Sequence, residues 1–325
     1  MLRNDSHASV PVSPAAGTTG AKASQLTSLI DQVSTIIVGK REQVALSVIC
    51  LLASGHLLVE DVPGVGKTTL SQALARSLGL SAARVQFTAD LLPSDLIGVS
   101  IYERQKEAFV FHPGPVFAQV LLADEINRAG PRTQSALLEA MEEHQVSVDG
   151  QTLALPSPFF VIATQNPGEQ LGTHPLPESQ LDRFAMRLSL GYPDANAERS
   201  LLAGSDRRQA LQTLQPVMAP EAWLGLQGQV DAVHVADSLL DYVLALIHAT
   251  RDGRWFAQGL SPRAGLSLLR LARARALVMG RQHVSPEDIQ VLWVPGVAHR
   301  LQALNQSGRS AAAQARALLE ATPVP

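Results

Sequence analysis

The sequence predicts an α/β fold, a five-stranded parallel sheet with helices on both faces, followed by an all-helical C-terminal domain. Three observations predict it. A short apolar run, Leu57-Leu58-Val59, passes through a glycine-rich turn into a helical stretch. Four further apolar runs follow at 84–87, 120–124, 159–164 and 186–190, with helical sequence between them, and such alternation implies parallel strands joined by crossovers. After Pro193 the strand pattern stops and apolar residues recur at helical spacing.

Taken in order, residues 1–23 are rich in Ser, Ala, Pro, Thr and Gly without a sustained apolar core, which reads as a disordered tail and not as a secretion signal. The core domain is expected over 24–192. From Gln25, the positions Leu26, Leu29, Ile30, Val33, Ile36 and Ile37 lie on one helical face, and a second helix is expected over 42–53. Strand 56–60 comes next, and helices 68–78 and 134–144 are the clearest between the remaining strands. Two hairpins interrupt this order. One, within 97–117, pairs Val99-Ser-Ile-Tyr102 with Ala108-Phe-Val-Phe111; the other, at 145–155, turns on Asp149-Gly150, which supplies the positive φ of a tight turn. The helical domain is expected over 193–305, with helices at 195–203, 221–233, 238–250, 262–279 and 286–293. Ser261-Pro262 and Ser285-Pro286-Glu287-Asp288 are helix-start signatures. Residues 306–325 read as one more helix or a frayed tail.

The segment Glu60-Asp-Val-Pro-Gly-Val-Gly-Lys-Thr-Thr69 lies between strand and helix, the setting of a phosphate-binding loop. There Gly64 and Gly66 let the backbone through Pro63 and Val65 turn its N–H groups onto a phosphate, and the helix N-terminus adds partial positive charge. Lys67 would reach the β- and γ-phosphates, Thr68 would hold Mg²⁺ through its hydroxyl, and Thr69 follows in the first helical turn. A plain glycine turn would not require Lys-Thr directly after it. The usual first glycine of the G-x-x-x-x-G-K-[ST] pattern is here Asp61.

Val120-Leu-Leu-Ala-Asp-Glu125 ends in two carboxylates, as a buried parallel strand would place them at its C-terminal edge. Asp124 suits a Mg²⁺ shell and Glu125 a general base, while a strand closing in an acidic turn is the plainer reading. Asn166, after the run 159–164, either holds an attacking water or a γ-phosphate oxygen, or simply starts a turn with Pro167. Arg183 either pairs with Asp182 in solvent or stabilises a γ-phosphate held by a neighbouring subunit, a role for which Arg128 and Arg132 are alternatives. Arg263 falls in the first turn of the helix begun by Ser261 and Pro262, where it would reach over the nucleotide.

This ordered set resembles an AAA+ ATPase, and the residues between narrow the resemblance to the MoxR family: Val85-Gln-Phe-Thr-Ala-Asp-Leu-Leu-Pro-Ser-Asp95, Ala123-Asp-Glu-Ile-Asn-Arg-Ala129, Thr133-Gln-Ser-Ala-Leu-Leu-Glu-Ala-Met-Glu-Glu143 and Ala163-Thr-Gln-Asn-Pro-Gly168. It extends from about Gln25 to about Arg300. The resemblance implies a P-loop AAA+ core with a helical lid, ATP and Mg²⁺ as cofactors, Asp124 and Glu125 as the Walker B pair, Asn166 as sensor 1, Arg183 as arginine finger and Arg263 as sensor 2. It places Val38-Gly39 at the adenine, and the hairpins at a central pore or its rim. It further implies a homo-oligomeric, hexameric ring and chaperone-like work on a client protein, such as one with a von Willebrand factor A domain, in maturation, activation or metal-cofactor insertion.

Composition agrees with a cytoplasmic enzyme. The chain has 325 residues, 46% hydrophobic content and a net charge of −3, giving no general attraction to nucleic acid or to an anionic membrane. No apolar stretch approaches a membrane span. The single cysteine, Cys50, sits in an apolar run and reads as a core residue. His112, His144 and His174 lack partners at metal-ligand spacing. Arg263, Arg270, Arg273, Arg275 and Arg281 crowd one helical run, read as a solvated or inter-subunit face. Two other functions fit less well: a nucleotide-gated scaffold with slow hydrolysis, which Glu125 and Asn166 argue against, and a nucleic-acid motor, which the acidic balance argues against.

Overall fold

The computed structural model describes residues 16–166, 173–203, 207–304 and 308–324. Its first helix, α1 (Ala16–Ile36), begins inside the segment expected to be a tail, so residues 16–23 belong to a helix. The helix runs through Gly17-Thr-Thr-Gly20 against their weak helix propensity before reaching Ala21, Lys22 and Ala23, which favour it. Residues 1–15 lie outside the described residues. Helix α2 (Arg41–Leu52) follows, then β1 (His56–Glu60), α3 (Lys67–Ser77), β2 (Ala82–Gln86) and the short α4 (Pro93–Ile97). The first expected hairpin is β3 (Gly98–Glu103) paired antiparallel with β4 (Ala108–Pro113). After β5 (Val120–Asp124) and α5 (Pro131–Glu143), the second is β6 (Gln145–Val148) with β7 (Gln151–Ala154). The core closes with β8 (Phe160–Gln165), α6 (Glu178–Leu181) and β9 (Phe184–Leu188).

The five core strands form one parallel sheet in the order β2-β5-β8-β1-β9. Side chains alternate across it. Leu57, Val59, Val120, Leu122, Phe160 and Ile162 enter a core shared with α1, α2, α3 and the C-terminal helices. Leu58, Leu121, Ala123, Val161 and Ala163 enter a second core with Leu137, Leu138 and Met141 of α5. With both faces covered, the central strands carry no polar alternation until their C-terminal ends. β8 lies between β1 and β5, so the ends of all three meet.

The C-terminal domain contains α7 (Ala195–Leu202), α8 (Arg207–Thr213), α9 (Pro220–Val230), α10 (Asp237–Arg251), β10 (Phe256–Gln258), α11 (Pro262–Val278), α12 (Pro286–Val297), β11 (Gln302–Ala303) and α13 (Ala311–Ala321). The antiparallel pair β10–β11 is an addition to the expected helices, too short to leave a pattern in sequence. Residues 311–321 form a packed helix rather than a frayed end: Ala315 and Leu318 are buried, and the Trp293 indole donates to the Ala315 carbonyl at 2.9 Å. The arginine-rich run is also corrected. Arg275 and Arg281 turn inward onto the fully buried Asp288, which accepts from Arg281 at 2.6 and 2.8 Å and from Arg275 as well. Asp288 also accepts from the Ser285 amide and hydroxyl, and so fixes the start of α12.

His56, buried at the start of β1, pins two layers together. The Val161 amide donates to its Nδ1 at 3.0 Å, so the ring proton sits on Nε2 and donates to the Met141 carbonyl at 3.1 Å. Burial lowers its pKa from 6.5 to about 4. The unfolded chain therefore takes up this proton below pH 6.5 while the folded protein resists until about pH 4. Stability is full above that window and is lost as pH falls through it, by about 1.4 kcal/mol per pH unit. His56→Gln, which can make both hydrogen bonds without titrating, should flatten the slope in urea unfolding measured between pH 7 and 4.

Candidate active site

Polar chemistry begins where the parallel strands end. β1 delivers Glu60 and the loop 61–66, in which Gly64 (φ +86°) and Gly66 (φ +98°) adopt left-handed conformations that side-chain-bearing residues avoid. That turn brings the chain directly into α3, whose first amides face the loop. Lys67 Nζ donates to the Asp61 carbonyl and, at 2.7 Å, to Asn166 Oδ1. Burial lowers the Lys67 pKa, and the neighbouring charges of Asp61, Asp124, Glu125 and Glu60 oppose that shift.

The acidic pair is held by its neighbours on either side. Asp124, 5% exposed, accepts from Thr68 Oγ1 (3.3 Å), Thr164 Oγ1 (3.2 Å) and Arg84 Nε (2.7 Å). Glu125 adopts a left-handed conformation (φ +57°), which turns its side chain away from the strand direction, and its amide donates to Thr164 Oγ1 at 3.0 Å. Its carboxylate accepts from Gln86 Nε2 (2.8 Å) and Asn166 Nδ2 (3.2 Å) and pairs with Arg128 Nε (3.0 Å). Arg128 thus serves its own chain's Glu125, while Arg132 is exposed in the first turn of α5. Pro167 and Gly168, the last residues of the sensor motif, lie outside the described residues.

Val38 and Gly39 reach the same edge. Gly39 (φ +76°) is packed so closely that an added Cβ would fall 3.1 Å from Ala197 Cβ and 3.2 Å from Asp194 Oδ2. Lys40 Nζ donates to the Tyr192 carbonyl at 2.7 Å. This links the α1–α2 turn to the connection leaving β9.

Arg183 and Arg263 lie elsewhere. Arg183 precedes Phe184, which registers with His56 at the N-terminal end of β1, a strand length of about 15 Å from the phosphate loop. Glu142 Oε2 holds Arg183 at 2.8 Å and its other oxygen holds Arg263, with Arg263 the larger cause of a lowered Glu142 pKa. The expectation that Arg263 reaches over its own chain's nucleotide is therefore corrected, because α11 starts at the opposite end of the sheet. The two arginines line a cavity of about 390 Å³ together with Arg270 and Arg300. Buried Arg300, its pKa lowered to about 10 by burial, donates to the Asp182 and Phe184 carbonyls flanking Arg183 (3.2 and 2.8 Å). Ser261, which caps α11, donates to the Asp182 carboxylate at 3.2 Å. The turn bearing Arg183 and the helix bearing Arg263 are thereby fixed to each other.

Sequence reasoning missed Arg84, Gln86, Thr164 and Glu142. The first two share one face of β2 by strand alternation, a signal that could have been read once β2 was placed beside β5. Glu142 gave only its place in the segment Thr133 to Glu143 and no sign of its role, since its partners are distant in sequence. Chemically, the edge offers oxygen ligands suited to Mg²⁺ in Thr68 and Asp124, and Asp124 already faces a cation in Arg84. Among the described residues no helix is long and apolar enough to cross a membrane, and no cluster of three or more His, Cys, Asp or Glu residues could hold a metal.

A phosphate loop after β1, a carboxylate pair on β5 across the intervening β8 and a C-terminal helical domain define an AAA-type nucleotide-binding ATPase core with its lid. Residues 56–186 match the model of the ATPase family associated with various cellular activities (AAA), and residues 248–322 that of the AAA lid domain. The chain is 46% identical to YeaC of Bacillus subtilis over 91% of its own length and 93% of the relative's. It is 42% identical to Chaperone MoxR1 of Mycobacterium tuberculosis (86% and 76%) and 33% identical to Protein MoxR of Paracoccus denitrificans (82% and 85%). A Cytophaga hutchinsonii crystal structure superposes with a TM-score of 0.86 at 34% identity, covering 94% of this chain and 97% of that one. A minichromosome-maintenance homologue from Methanopyrus kandleri, with a TM-score of 0.57 at 19% identity over 96% of this chain and 63% of that one, shares the fold. The chain belongs to the MoxR family of AAA+ ATPases.

Lys67→Ala removes the one side-chain cation in the phosphate loop and should abolish binding of a fluorescent ATP analogue while leaving the melting temperature nearly unchanged.

Proposed function

We propose that this chain is a Mg²⁺-dependent ATP hydrolase whose active sites are completed between copies in a closed ring of six, and that the ring remodels a partner protein. The observation that carries the reading is the division of the site. Lys67, Thr68, Asp124, Glu125 and Asn166 converge at one end of the sheet, whereas Arg183 and Arg263 are locked together at the other. A neighbouring copy can present those arginines to the phosphates, and closed cyclic symmetry lets every copy do so.

In this reading the nucleotide lies on the phosphate loop with its base against Val38 and Gly39. Thr68 and Asp124 would hold Mg²⁺, which would supply neutralisation of charge on the phosphates. Lys67 leaves the Asp61 carbonyl and Asn166 for the β- and γ-phosphates. Asn166 bridges Lys67 and Glu125 in the structure, so its release frees a Glu125 oxygen to accept the proton of a water that Asn166 orients. Thr164 and Gln86 keep Glu125 aimed. At the other end, Glu142 occupies both arginines until a neighbour's γ-phosphate replaces its carboxylate. The name of the M. tuberculosis relative, Chaperone MoxR1, supports remodelling as the work done, and a client with a von Willebrand factor A domain is the kind the family resemblance implies.

Specific ATP turnover should rise steeply with protein concentration as rings appear in mass photometry; flat turnover per subunit would overturn assembly between copies. Glu125→Gln should keep ATP affinity and assembly while losing turnover by about 10²-fold or more. Arg183→Ala should be inactive alone, as should Glu125→Gln, yet their mixture should regain turnover, because the first supplies intact phosphate loops and the second intact arginines. No recovery on mixing would place the trans-acting group elsewhere.

A further inference from the structure

We infer that Asp61, which replaces the first glycine of the phosphate-loop pattern, is a positioning residue that transmits filling of the loop to the connection into the helical domain. This rests on the nucleotide-site reading above. Asp61 is only 6% exposed and is bonded through every polar group it has. Its amide donates to the Gln165 carbonyl at 3.2 Å, at the end of β8. Its carbonyl accepts from Lys67 Nζ. Its carboxylate spans two segments: Oδ1 accepts from the Val62 amide at 2.8 Å, inside the loop, and Oδ2 accepts from Ser189 Oγ at 3.0 Å and the Gly191 amide at 2.6 Å, beyond β9.

A glycine here would form the turn equally well, but it would have nothing to offer residues 189–191. The chain from Gly191 runs a short way to α7. Tyr192 receives Lys40 through its carbonyl, and Asp194 accepts from the Ala197 amide at 2.8 Å, setting the first turn of the helix. Gly39 abuts both Asp194 and Ala197. One residue thus touches, through successive hydrogen bonds, the lysine that must move onto the phosphates, the end of the sensor strand, and the peptide that begins the helical domain. When Lys67 leaves the Asp61 carbonyl, the Asp61–Val62 peptide keeps only the bond from its Val62 amide to Oδ1, so a shift of that peptide moves the carboxylate and, with it, Gly191.

The carboxylate is also well suited to hold three donors in a buried place. Burial by itself would raise its pKa, but the donors from Gly191, Ser189 and Val62 outweigh this and hold the group below the ordinary Asp range. An acceptor-only group satisfies all of them, which neither an amide nor a hydroxyl could do.

The test is amide hydrogen exchange of residues 189–197 in the full chain with and without Mg²⁺ and ATP, beside ATP affinity and kcat. In wild type these amides should be protected by ATP. Asp61→Gly, which restores the motif glycine, should still bind ATP, lose ATP-dependent protection at 189–197, and fall about tenfold in kcat through misplaced groups. Ser189→Ala, which leaves the loop intact, should lose that protection in part and decides the matter should the glycine variant prove insoluble. Wild-type protection in either variant, or the absence of ATP-dependent protection in wild type with ATP bound, overturns the coupling. Loss of ATP binding by Asp61→Gly assigns Asp61 to the loop alone and also overturns it. Failure of the nucleotide reading is distinguished by Lys67→Ala: undiminished ATP binding there refutes the phosphate site itself.

Discussion

Everything at the active edge depends on three buried parallel strands ending in register. β8 stands between β1 and β5, with Glu60 opposite Gln165 and Ala123 opposite Ala163. Since each strand is apolar on both faces, none can slip without putting a polar end into one of the two cores. The register therefore brings Lys67, Asn166 and Glu125, which come from three different segments, within hydrogen-bonding reach. Thr164 completes it, accepting from the Glu125 amide while donating to Asp124.

Around that edge, the second notable property is that each of the carboxylates Glu60, Asp124 and Glu125 has partners within the protein. These carboxylates meet cations or amides from adjacent strands or, for Arg128, from the turn that follows: Asp124 meets Arg84, Glu125 meets Gln86 and Arg128, Glu60 meets Arg187 and Gln165. Such saturation fixes geometry in the absence of ligand, and it means that a nucleotide works by exchanging partners instead of ordering loose side chains. Asp288, under its two arginines in the helical domain, shows the same saturation used for structure alone, where removing one partner of the buried group would cost about 3 kcal/mol or more.

Legibility in the sequence followed locality. The phosphate loop, the Asp124-Glu125 strand end and both hairpins could be read because each is written in a few consecutive residues. Helix α1 was read late by several residues, since Gly17-Thr-Thr-Gly20 suggested a tail where the helix continues. Arg263 shows the limit: its capped helix was visible from Ser261 and Pro262, but the end of the sheet it faces is set by Ser261–Asp182–Arg300, whose members are far apart in the chain. Glu142 and the β10–β11 pair were illegible for the same reason, the information being in the contact and not in either segment. Arg275 and Arg281 looked like surface charge because their partner, Asp288, was read only as a helix cap.

The subunit also has a polarity. One end of its sheet carries the phosphate loop and the other carries the arginines bound by Glu142, so on the proposed reading copies join head to tail. An open arc of such copies always has one loop without arginines and one pair of arginines without a loop. Closing the arc adds a complete site without adding a subunit. The step that seals the circle would then give every copy a complete site, a capacity per copy that no enlargement of an open arc reaches, which sets incomplete assemblies apart as less active per copy than the circle they precede.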